Sequence, residues 1–442
     1  MSEALGCSKN TADAIVVGGG AVGLHAANVL YDAMGNGARI LSVTQESEWG
    51  GLAGRSLEQY RMFNDSYAMA EIVHRGVHLY NRLDEELREQ KSTARASEQF
   101  PYIFTVGSKE RPDYISELLP PSTPKRPDMA YYCKLKEDTE RWGFDPRAEI
   151  MDAESLQKSF PLLDGDGIEG AMVVNNAGRL HFDVMRNWLM ERTQADGDGH
   201  GVTYRTRTAA QQVLLGKQGE AIGVDFGGEK IYSDKIILAL GAFVVNLPRL
   251  LPGDESMRLA NNFTVTQREL FFSNMPGVQD DTNFFLISPD MAIARISTRE
   301  GHASYGYAAE DDPAIACPVT DPKPNTDNKS LFVGRTYTML GECSQRWDSD
   351  HTDPKKPNMA IAPFGYSAGS YTSYKDGLPV VGKIGDTNTV LVAGSHHSGI
   401  MGGPALAELA VDHVLGLHKL SRTTHEQTDI HRTPPMHTGL VL

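Results

Sequence analysis

Apolar residues along the chain follow two different patterns. Short, largely apolar runs at 14–17, 39–44 and 235–241 are typical of strands buried on both faces of a parallel sheet. Short runs at 284–287 and 303–307, interpreted as alternating, predict the strands of an antiparallel sheet. Longer segments carry apolar side chains at the helical period, which predicts amphipathic helices. These segments are 68–88, 183–193 and 405–417.

A glycine pattern follows the first apolar run. Gly18, Gly20 and Gly23 form G-x-G-x-x-G, and apolar residues at helical spacing come directly after them. In such a unit the first glycine makes a tight turn, the second lets backbone approach a pyrophosphate, and the third lets the helix pack against the strand. The N-terminus of the helix offers free N–H groups to the anion. The segment predicts a dinucleotide-binding βαβ unit; the alternative is a glycine-rich turn without a ligand.

The second strand of this unit departs from the usual pattern. Strands at this position normally end in an acid that binds the ribose of the nucleotide. Here the strand ends in Thr44 and Gln45, and Glu46 comes two places late. The pattern therefore leaves the ribose contact open.

Composition and charge limit the class of protein. A length of 442 residues favours two domains, and contents of 40% hydrophobic and 22% charged residues are typical of a soluble globular protein. A net charge of −15 argues against nucleic acid or an anionic membrane as a partner. The four cysteines lack C-x-x-C or zinc spacing, which favours free thiols in a reducing compartment. Because we find no signal peptide and no membrane-spanning run, we expect a cytoplasmic enzyme.

Several blocks of the sequence resemble the D-amino acid oxidase superfamily of FAD enzymes, nearest the sarcosine oxidase and glycine oxidase branch. The resemblance covers about residues 13–418, and the order and spacing of the blocks are its most specific feature. The blocks are IVVGGGAVG at 15–23, GRSLEQYR at 54–61, IILALGAF at 236–243, and DGLP at 376–379 with GIMGGPA at 399–405.

The resemblance implies an α/β fold with two interleaved domains. A Rossmann-like FAD-binding domain is assembled from 10–88, 150–250 and 376–420. A substrate domain with a mainly antiparallel sheet and helices takes 89–149 and 251–375. The polar segment 421–442 is expected to be a mobile C-terminal tail.

The predicted cofactor is noncovalent FAD. Sarcosine oxidases attach their flavin to a cysteine a few residues before the Asp376 position, and Gly369 or Ser370 stands there in this chain. The residues predicted to contact FAD are Gly18, Gly20, Ala21, Val22, Gly23, Thr44, Gln45, Arg55, Ser56, Ala210, Gly241, Gly399, Ile400 and Met401. Residues 402–404 are predicted to begin the last helix and to point its positive end at the reduced flavin, unless this is an ordinary proline-started helix.

Other departures concern the substrate. D-Amino acid and glycine oxidases carry an arginine for the substrate carboxylate near His397, where this chain reads His-His-Ser. Sarcosine oxidases place a lysine used with oxygen at about Met401, and a second family arginine, three residues past Arg61, is Asn64. The substrate therefore need not be a simple α-amino acid.

Three side chains are candidates for catalysis, each with an alternative. Arg61 supports the flavin or a substrate anion, or it is a surface arginine. His397 serves the substrate pocket or packs in the core, and no third ligand lies at metal spacing. Tyr371 donates a hydrogen bond to substrate or is a core aromatic. The predicted substrate-binding residues are Asn64, His302, Tyr305 and His396.

The sequence leaves three functions open. The leading one is oxidation of a C–N bond in a small-molecule amine or amino-acid derivative by hydride transfer to FAD. The resulting imine would hydrolyse, and O2 or another acceptor would take the electrons, O2 giving H2O2. The alternatives are a 2-hydroxy acid or alcohol dehydrogenase on the same scaffold, and an FAD-binding protein without turnover. No metal is predicted, and the oligomeric state is not indicated.

Overall fold

The computed structural model describes residues 10–50, 58–107, 128–163, 168–274, 283–287, 292–297, 302–307, 318, 365–395, 398–417 and 419–432. Its helices are α1 (Ala21–Met34), α2 (Tyr67–Glu89), α3 (Met129–Arg141), α4 (Ala153–Ser159), α5 (Phe182–Thr193), α6 (Leu247–Leu250), α7 (Asp254–Ala260), α8 (Gly399–Leu415) and α9 (Arg422–Thr428), with a 3-10 helix at Gly241–Asn246. Among the helices so described, none combines the length and apolar character needed to cross a membrane.

The strands form four sheets. In chain order they are β1 (Ala14–Val17), β2 (Arg39–Val43), β3 (Gln59–Arg61), β4 (Ser97–Gln99), β5 (Tyr102–Gly107), β6 (Ala148–Asp152), β7 (Ile168–Val174), β8 (Ala177–Leu180), β9 (Gly201–Arg205), β10 (Gln212–Leu215), β11 (Ala221–Asp225), β12 (Lys230–Tyr232), β13 (Ile236–Leu238), β14 (Phe263–Asn274), β15 (Asn283–Ile287), β16 (Ala292–Ser297), β17 (His302–Tyr307), β18 (Gly365–Tyr374), β19 (Val380–Lys383) and β20 (Thr389–Ala393).

A six-stranded sheet in the order β19-β20-β13-β1-β2-β9 carries the predicted nucleotide-binding unit. Its pairs are parallel except for β19 with β20. Ala14 and Val16 of β1 contribute to one buried apolar cluster, whereas Ile15 and Val17 contribute to a second. Because β1 is buried on both faces, its sequence is continuously apolar rather than alternating.

The second large sheet has eight strands in the order β18-β14-β17-β16-β15-β5-β7-β6, and all its pairs are antiparallel except β15 with β5. The predicted α/β fold with a mainly antiparallel second sheet is therefore confirmed. One predicted boundary differs: we expected 150–250 to belong with the nucleotide-binding strands, but β6 and β7 pair within this second sheet. Two small antiparallel sheets, β3-β8-β4 and β10-β11-β12, complete the fold.

The last long helix begins earlier than the sequence predicts. We expected its start at 402–404, but α8 begins at Gly399 and carries Pro404 inside. The two glycines before the proline allow close helix packing instead of a loop: a Cβ at Gly402 would lie 2.7 Å from Ile72 Cγ2, and one at Gly403 3.1 Å from Ala21 Cβ. Proline has no N–H to donate to the Ile400 carbonyl, and that carbonyl accepts a hydrogen bond from the Tyr80 hydroxyl at 3.4 Å instead.

The expectation of a mobile tail after residue 420 is corrected for 421–432. Helix α9 packs against α2, where Gln427 Oε1 accepts a hydrogen bond from Ala68 N at 3.1 Å. The Ser421 hydroxyl donates to Glu71 on α2 at 2.6 Å. Arg432 forms a bidentate ion pair with Asp376 at 2.9 Å, and both side chains are buried. These polar side chains attach the segment to the body of the protein, and residues 433–442 lie outside the described part.

Candidate functional site: a cofactor cavity and a buried arginine

A cavity of about 330 Å³ lies at the carboxyl ends of β1, β2 and β13. Strand β1 pairs with β2 on one side and with β13 on the other, so the chain crosses over in opposite directions at this point. Open parallel sheets bind their ligands in the crevice at such a switch point. The cavity therefore lies where the topology predicts a nucleotide.

Each glycine of the G-x-G-x-x-G pattern has the geometry expected of it. Gly18 has φ +129°, and a Cβ there would lie 2.0 Å from the Ala239 carbonyl oxygen. A Cβ at Gly23 would lie 1.9 Å from the Gly18 carbonyl oxygen, so this glycine lets α1 approach β1. A Cβ at Gly20 would meet only the Gly50 carbonyl oxygen, at 4.0 Å. Because the space beside Gly20 is open, a ligand can reach the backbone there.

The end of β2, where the usual acid is missing, is shaped by the packing of Thr44. Thr44 packs against the glycine turn, since a Cβ at Gly19 would lie 2.6 Å from Thr44 Cβ. Its Oγ1 accepts a hydrogen bond from the Glu46 backbone N–H at 3.3 Å, which turns the chain back. Glu46 consequently lines the cavity together with Gln45. An acid therefore lines this part of the cavity even though it comes two positions late in the sequence.

The opposite end of the cavity is formed by β18 and the start of α8. Residues 369–372 line it, and so do Gly399 and Ile400. The N-terminal end of α8 carries unpaired N–H groups and the positive end of the helix dipole, which suit negative charge on a ligand. The buried Ser370 hydroxyl has no hydrogen-bond partner among the described residues, so it is available to a ligand. A cavity lined by the starts of two helices and by a glycine turn fits a flavin dinucleotide.

A second feature lies outside this cavity, on the aromatic face of the eight-stranded sheet. Arg61, the last residue of β3, is only 6% exposed, so the alternative of a surface arginine is wrong. Its guanidinium carbon lies 5.6 Å from the ring centroid of Tyr102 and 5.9 Å from that of Phe104. These are cation–π distances. Burial raises the pKa of Tyr102 to about 12, although the positive charge of Arg61 opposes the shift. The Tyr102 hydroxyl donates a hydrogen bond to Gln59 Oε1 at 3.1 Å.

Most of the residues predicted to contact the cofactor line the cavity. They are Gly18, Gly20, Ala21, Val22, Gly23, Thr44, Gln45, Ala210, Gly241, Gly399 and Ile400, and the catalytic candidate Tyr371 lines it as well. Met401 does not: it is fully buried in the apolar core, and its carbonyl oxygen would lie 1.9 Å from a Cβ at Gly76 on α2. Because α8 already begins at Gly399, position 401 packs against α2 instead of the cavity.

The other predicted site residues either lie away from the cavity or fall outside the part of the chain that the structure describes. Arg61 and Asn64 are buried beside β3 and are not among the residues that line the cavity. His302 and Tyr305 lie on β17, but their side chains are outside the described part of the chain. Arg55, Ser56, His396 and His397 also fall outside the described residues. Within those that are described, no group of three or more His, Cys, Asp or Glu side chains could hold a metal ion.

Sequence reasoning missed several polar residues of the two sites. Gln211 and Arg249 line the cavity and are joined by a hydrogen bond of 2.8 Å from the arginine to the amide oxygen. Tyr131, on α3, lies close enough to Arg61 for its charge to act on the phenol. No local pattern marks these positions, because each reaches its site only through the tertiary packing of a distant segment.

Comparison with solved structures shows the same overall fold. L-Proline dehydrogenase from P. horikoshii has a TM-score of 0.73 and 17% identity, with 96% of this chain and 97% of that chain covered. Glycine oxidase from Geobacillus kaustophilus has a TM-score of 0.70 and 15% identity, covering 98% and 100%. Iminodiacetate oxidase (IdaA) from Chelativorans sp. BNC1 has a TM-score of 0.67 and 16% identity, covering 94% and 98%.

Comparison with protein families gives a match over most of the chain. The family model DAO, described as FAD dependent oxidoreductase, matches residues 13–413. No match is found among curated proteins.

Proposed function

Because the chain belongs to the DAO family of FAD-dependent oxidoreductases, we propose that it oxidises a C–N bond of a small-molecule amine or amino-acid derivative. The product imine would hydrolyse in water, and O2 would take the electrons and become H2O2. We include in the proposal that FAD is held without a covalent bond.

One observation carries this proposal. The glycine turn between β1 and α1 and the first turn of α8 line the same cavity, so two helix starts and a backbone cradle converge on one space. This arrangement suits the pyrophosphate at one end and a ring that gains negative charge at the other. The names of the structural neighbours add support, since proline, glycine and iminodiacetate all contain a C–N bond.

We assign the following roles to residues that line the cavity. FAD, when bound, would supply the two-electron chemistry for oxidation of the carbon next to nitrogen. The backbone around Gly20 would hold the pyrophosphate, and Glu46, which lines the same cavity, would contact the ribose. Tyr371, which is half-buried and lines the cavity, would donate a hydrogen bond to a substrate.

The residues of the cavity wall support the proposal of noncovalent attachment. Gly369 and Ser370, at the position of the family's flavin-bearing cysteine, both line the cavity and neither has a thiol. We expect acid denaturation to release all the flavin into the supernatant. Flavin that stays with the precipitated polypeptide would show a different attachment.

The test of the activity is anaerobic mixing of the yellow holoenzyme with matched compounds. Pairs such as proline and tetrahydrofuran-2-carboxylic acid, or alanine and lactic acid, differ at the heteroatom. We expect bleaching of the flavin absorbance by the nitrogen compound of a pair only. Bleaching by hydroxy acids or alcohols alone would establish the dehydrogenase alternative, and no bleaching across a broad panel would favour a protein without turnover.

A further inference from the structure

The first turn of α8 is the part of that helix that begins at the cofactor cavity, which it lines through Gly399 and Ile400. No side chain caps its N–H groups, because Ser398 at the N-cap makes no cap hydrogen bond. The Ser398 hydroxyl is buried and has no partner in the part of the chain that the structure describes. The positive end of a 17-residue helix is therefore left free to act on a ligand in the cavity.

The sequence of this turn does little to fix its direction. Gly402 and Gly403 have no side chains, and glycine is the weakest helix former after proline. Pro404 has no N–H, so the α-helical hydrogen bond to the Ile400 carbonyl, four residues earlier, cannot form. The proline ring also crowds that carbonyl. Because the backbone ladder is interrupted between the first turn and the body of α8, contacts from other elements must hold the turn.

One face of α2 packs against this turn. A Cβ at Gly76 would lie 1.9 Å from the Met401 carbonyl oxygen, so glycine is needed for the two helices to approach this closely. Four residues earlier on α2, Ile72 Cγ2 lies 2.7 Å from where a Cβ at Gly402 would be. Residues four apart lie next to each other on one face of a helix. The next position of this row is 80, and the row follows the first turn of α8 toward its N-terminal end.

Tyr80 occupies that position and contacts the carbonyl that the proline leaves without its usual donor. Its side chain is fully buried, and its hydroxyl donates a hydrogen bond to the Ile400 carbonyl oxygen at 3.4 Å. Burial and the negative charge of Glu58 raise the pKa of Tyr80 well above its ordinary value, so the hydroxyl remains a donor at physiological pH. A buried carbonyl without a partner is unfavourable, and here one phenol replaces the missing backbone bond.

We propose that Tyr80 is a positioning residue for the flavin: by bonding the Ile400 carbonyl it holds the first turn of α8 with its N–H groups directed at the cavity, and so favours negative charge on the reduced ring. This inference rests on the proposed function, in which the ring that gains charge lies at this end of the cavity. Tyr80 does not itself line the cavity, so it acts only through the backbone of α8. No sequence pattern marks this role, because Tyr80 lies 320 residues along the chain from Ile400.

The test is the reduction potential of the FAD-loaded full chain, measured by reductive titration against a reference dye without any amine. Tyr80→Phe keeps the aromatic ring and removes only the hydroxyl. We expect its preference for reduced over oxidised FAD to fall about tenfold, which corresponds to a potential about 30 mV lower for a two-electron couple. A potential equal to that of the wild type would overturn the inference.

Pro404→Ala provides a rescue that distinguishes this role from a general loss of packing. Alanine restores a backbone N–H at the position from which an α-helix donates to the Ile400 carbonyl. Tyr80→Phe/Pro404→Ala should therefore return to within about twofold of the wild-type preference for reduced FAD. If Tyr80→Phe alone fails to retain flavin, the double variant still decides, because it should bind FAD with nearly the wild-type potential. A double variant as impaired as Tyr80→Phe would contradict the proposed role.

Tyr204→Phe is the matched control for loss of a phenol hydroxyl. The Tyr204 hydroxyl lies 2.8 Å from Thr193 Oγ1 and accepts a hydrogen bond from Asn28 Nδ2 at 3.2 Å. These partners belong to α5 and α1 rather than to α8, and Tyr204 does not line the cavity. We expect the potential of Tyr204→Phe to equal that of the wild type. A shift as large as that of Tyr80→Phe would show that the effect is not specific to the Ile400 carbonyl, and would overturn the inference.

Measuring the potential without an amine separates this inference from the proposed function. If the potentials follow the expected pattern but no amine reduces the flavin, C–N oxidation fails and the role of Tyr80 stands. If amines reduce the flavin and the potential of Tyr80→Phe equals that of the wild type, the proposed function stands and the role of Tyr80 is wrong.

Discussion

The cofactor cavity and the Arg61 region present positive charge by different means. The cavity is lined by the backbone of a glycine turn and by helix starts, which offer N–H groups and partial charges. The Arg61 region offers a full positive charge on a buried side chain, enclosed by aromatic rings. Backbone donors are fixed by the fold itself, whereas the donors around Arg61 come from β3, the segment after it, and α3. The donors of the cavity therefore depend on backbone geometry, whereas the charge beside β3 depends on a single side chain.

The largest expected effect concerns the backbone site. Gly20→Val would place a side chain in the space that the pyrophosphate needs, and we expect the dissociation constant for FAD to rise roughly 1,000-fold or more, about 4 kcal/mol. Because a Cβ at Gly20 meets nothing closer than 4.0 Å, the apoprotein should keep its melting temperature. Fluorescence titration with FAD measures the dissociation constant, and calorimetry measures the melting temperature of the apoprotein.

Gly37→Val is the matched control, since a Cβ at Gly37 meets no atom within 4 Å and this residue does not line the cavity. Full FAD affinity in Gly20→Val would mean that the glycine turn has no ligand.

A second prediction compares two buried arginines. Arg432→Met leaves Asp376 buried without its partner, and we expect a loss of about 3 kcal/mol in the free energy of unfolding. Arg61→Met leaves no unpaired acid in the described part of the chain, so the free energy of unfolding should stay within about 1 kcal/mol of wild type or rise.

Denaturant titration of both variants makes this comparison. Arg422→Met serves as control, because Arg422 pairs with Glu426 on the exposed face of α9. A large loss of stability in Arg61→Met would indicate that Arg61 is a structural residue.

A smaller effect concerns the protonation of a histidine buried in the apolar core. Burial lowers the pKa of His25 on α1 to about 3, so the folded protein keeps this histidine neutral. Below the unfolded-state pKa of about 6.5 only the unfolded chain takes up the proton, and stability falls as pH falls. His25→Leu should therefore gain about 2 kcal/mol relative to wild type on going from pH 6.5 to pH 5.

The measurement is the free energy of unfolding at both pH values, with His78→Gln at an exposed position of α2 as control. An identical acid dependence in wild type and His25→Leu would show that His25 is not responsible.

The contrast between backbone donors and side-chain donors also explains which features could be predicted from the sequence. The roles of Gly18, Gly20 and Gly23 depend on local geometry, and a local pattern therefore predicted them. The start of α8 was missed because glycines next to a proline resemble a loop, whereas Gly402 and Gly403 allow close helix contacts.

Local sequence patterns do not predict the roles of residues whose contacts lie far away along the chain. The polar composition of 421–432 predicts a tail, yet Gln427 and Arg432 form specific hydrogen bonds with α2 and Asp376. Tyr131 reaches Arg61 only after α3 has packed on the sheet, about 70 residues along the chain. A sequence shows which side chains are polar, but it does not show which of them will share a buried site.

The most direct test of the central claim is the pH dependence of anaerobic flavin reduction by an amine substrate. Oxidation of a C–N bond requires a neutral amine, because an ammonium has no lone pair to stabilise the developing positive charge. Free amines have pKa values of about 10, and an apolar site lowers that value by desolvating the cation. We therefore predict a reduction rate that rises with pH along a single ionisation below pH 10. A rate that stays constant from pH 6 to 10 with a verified amine substrate would contradict C–N oxidation.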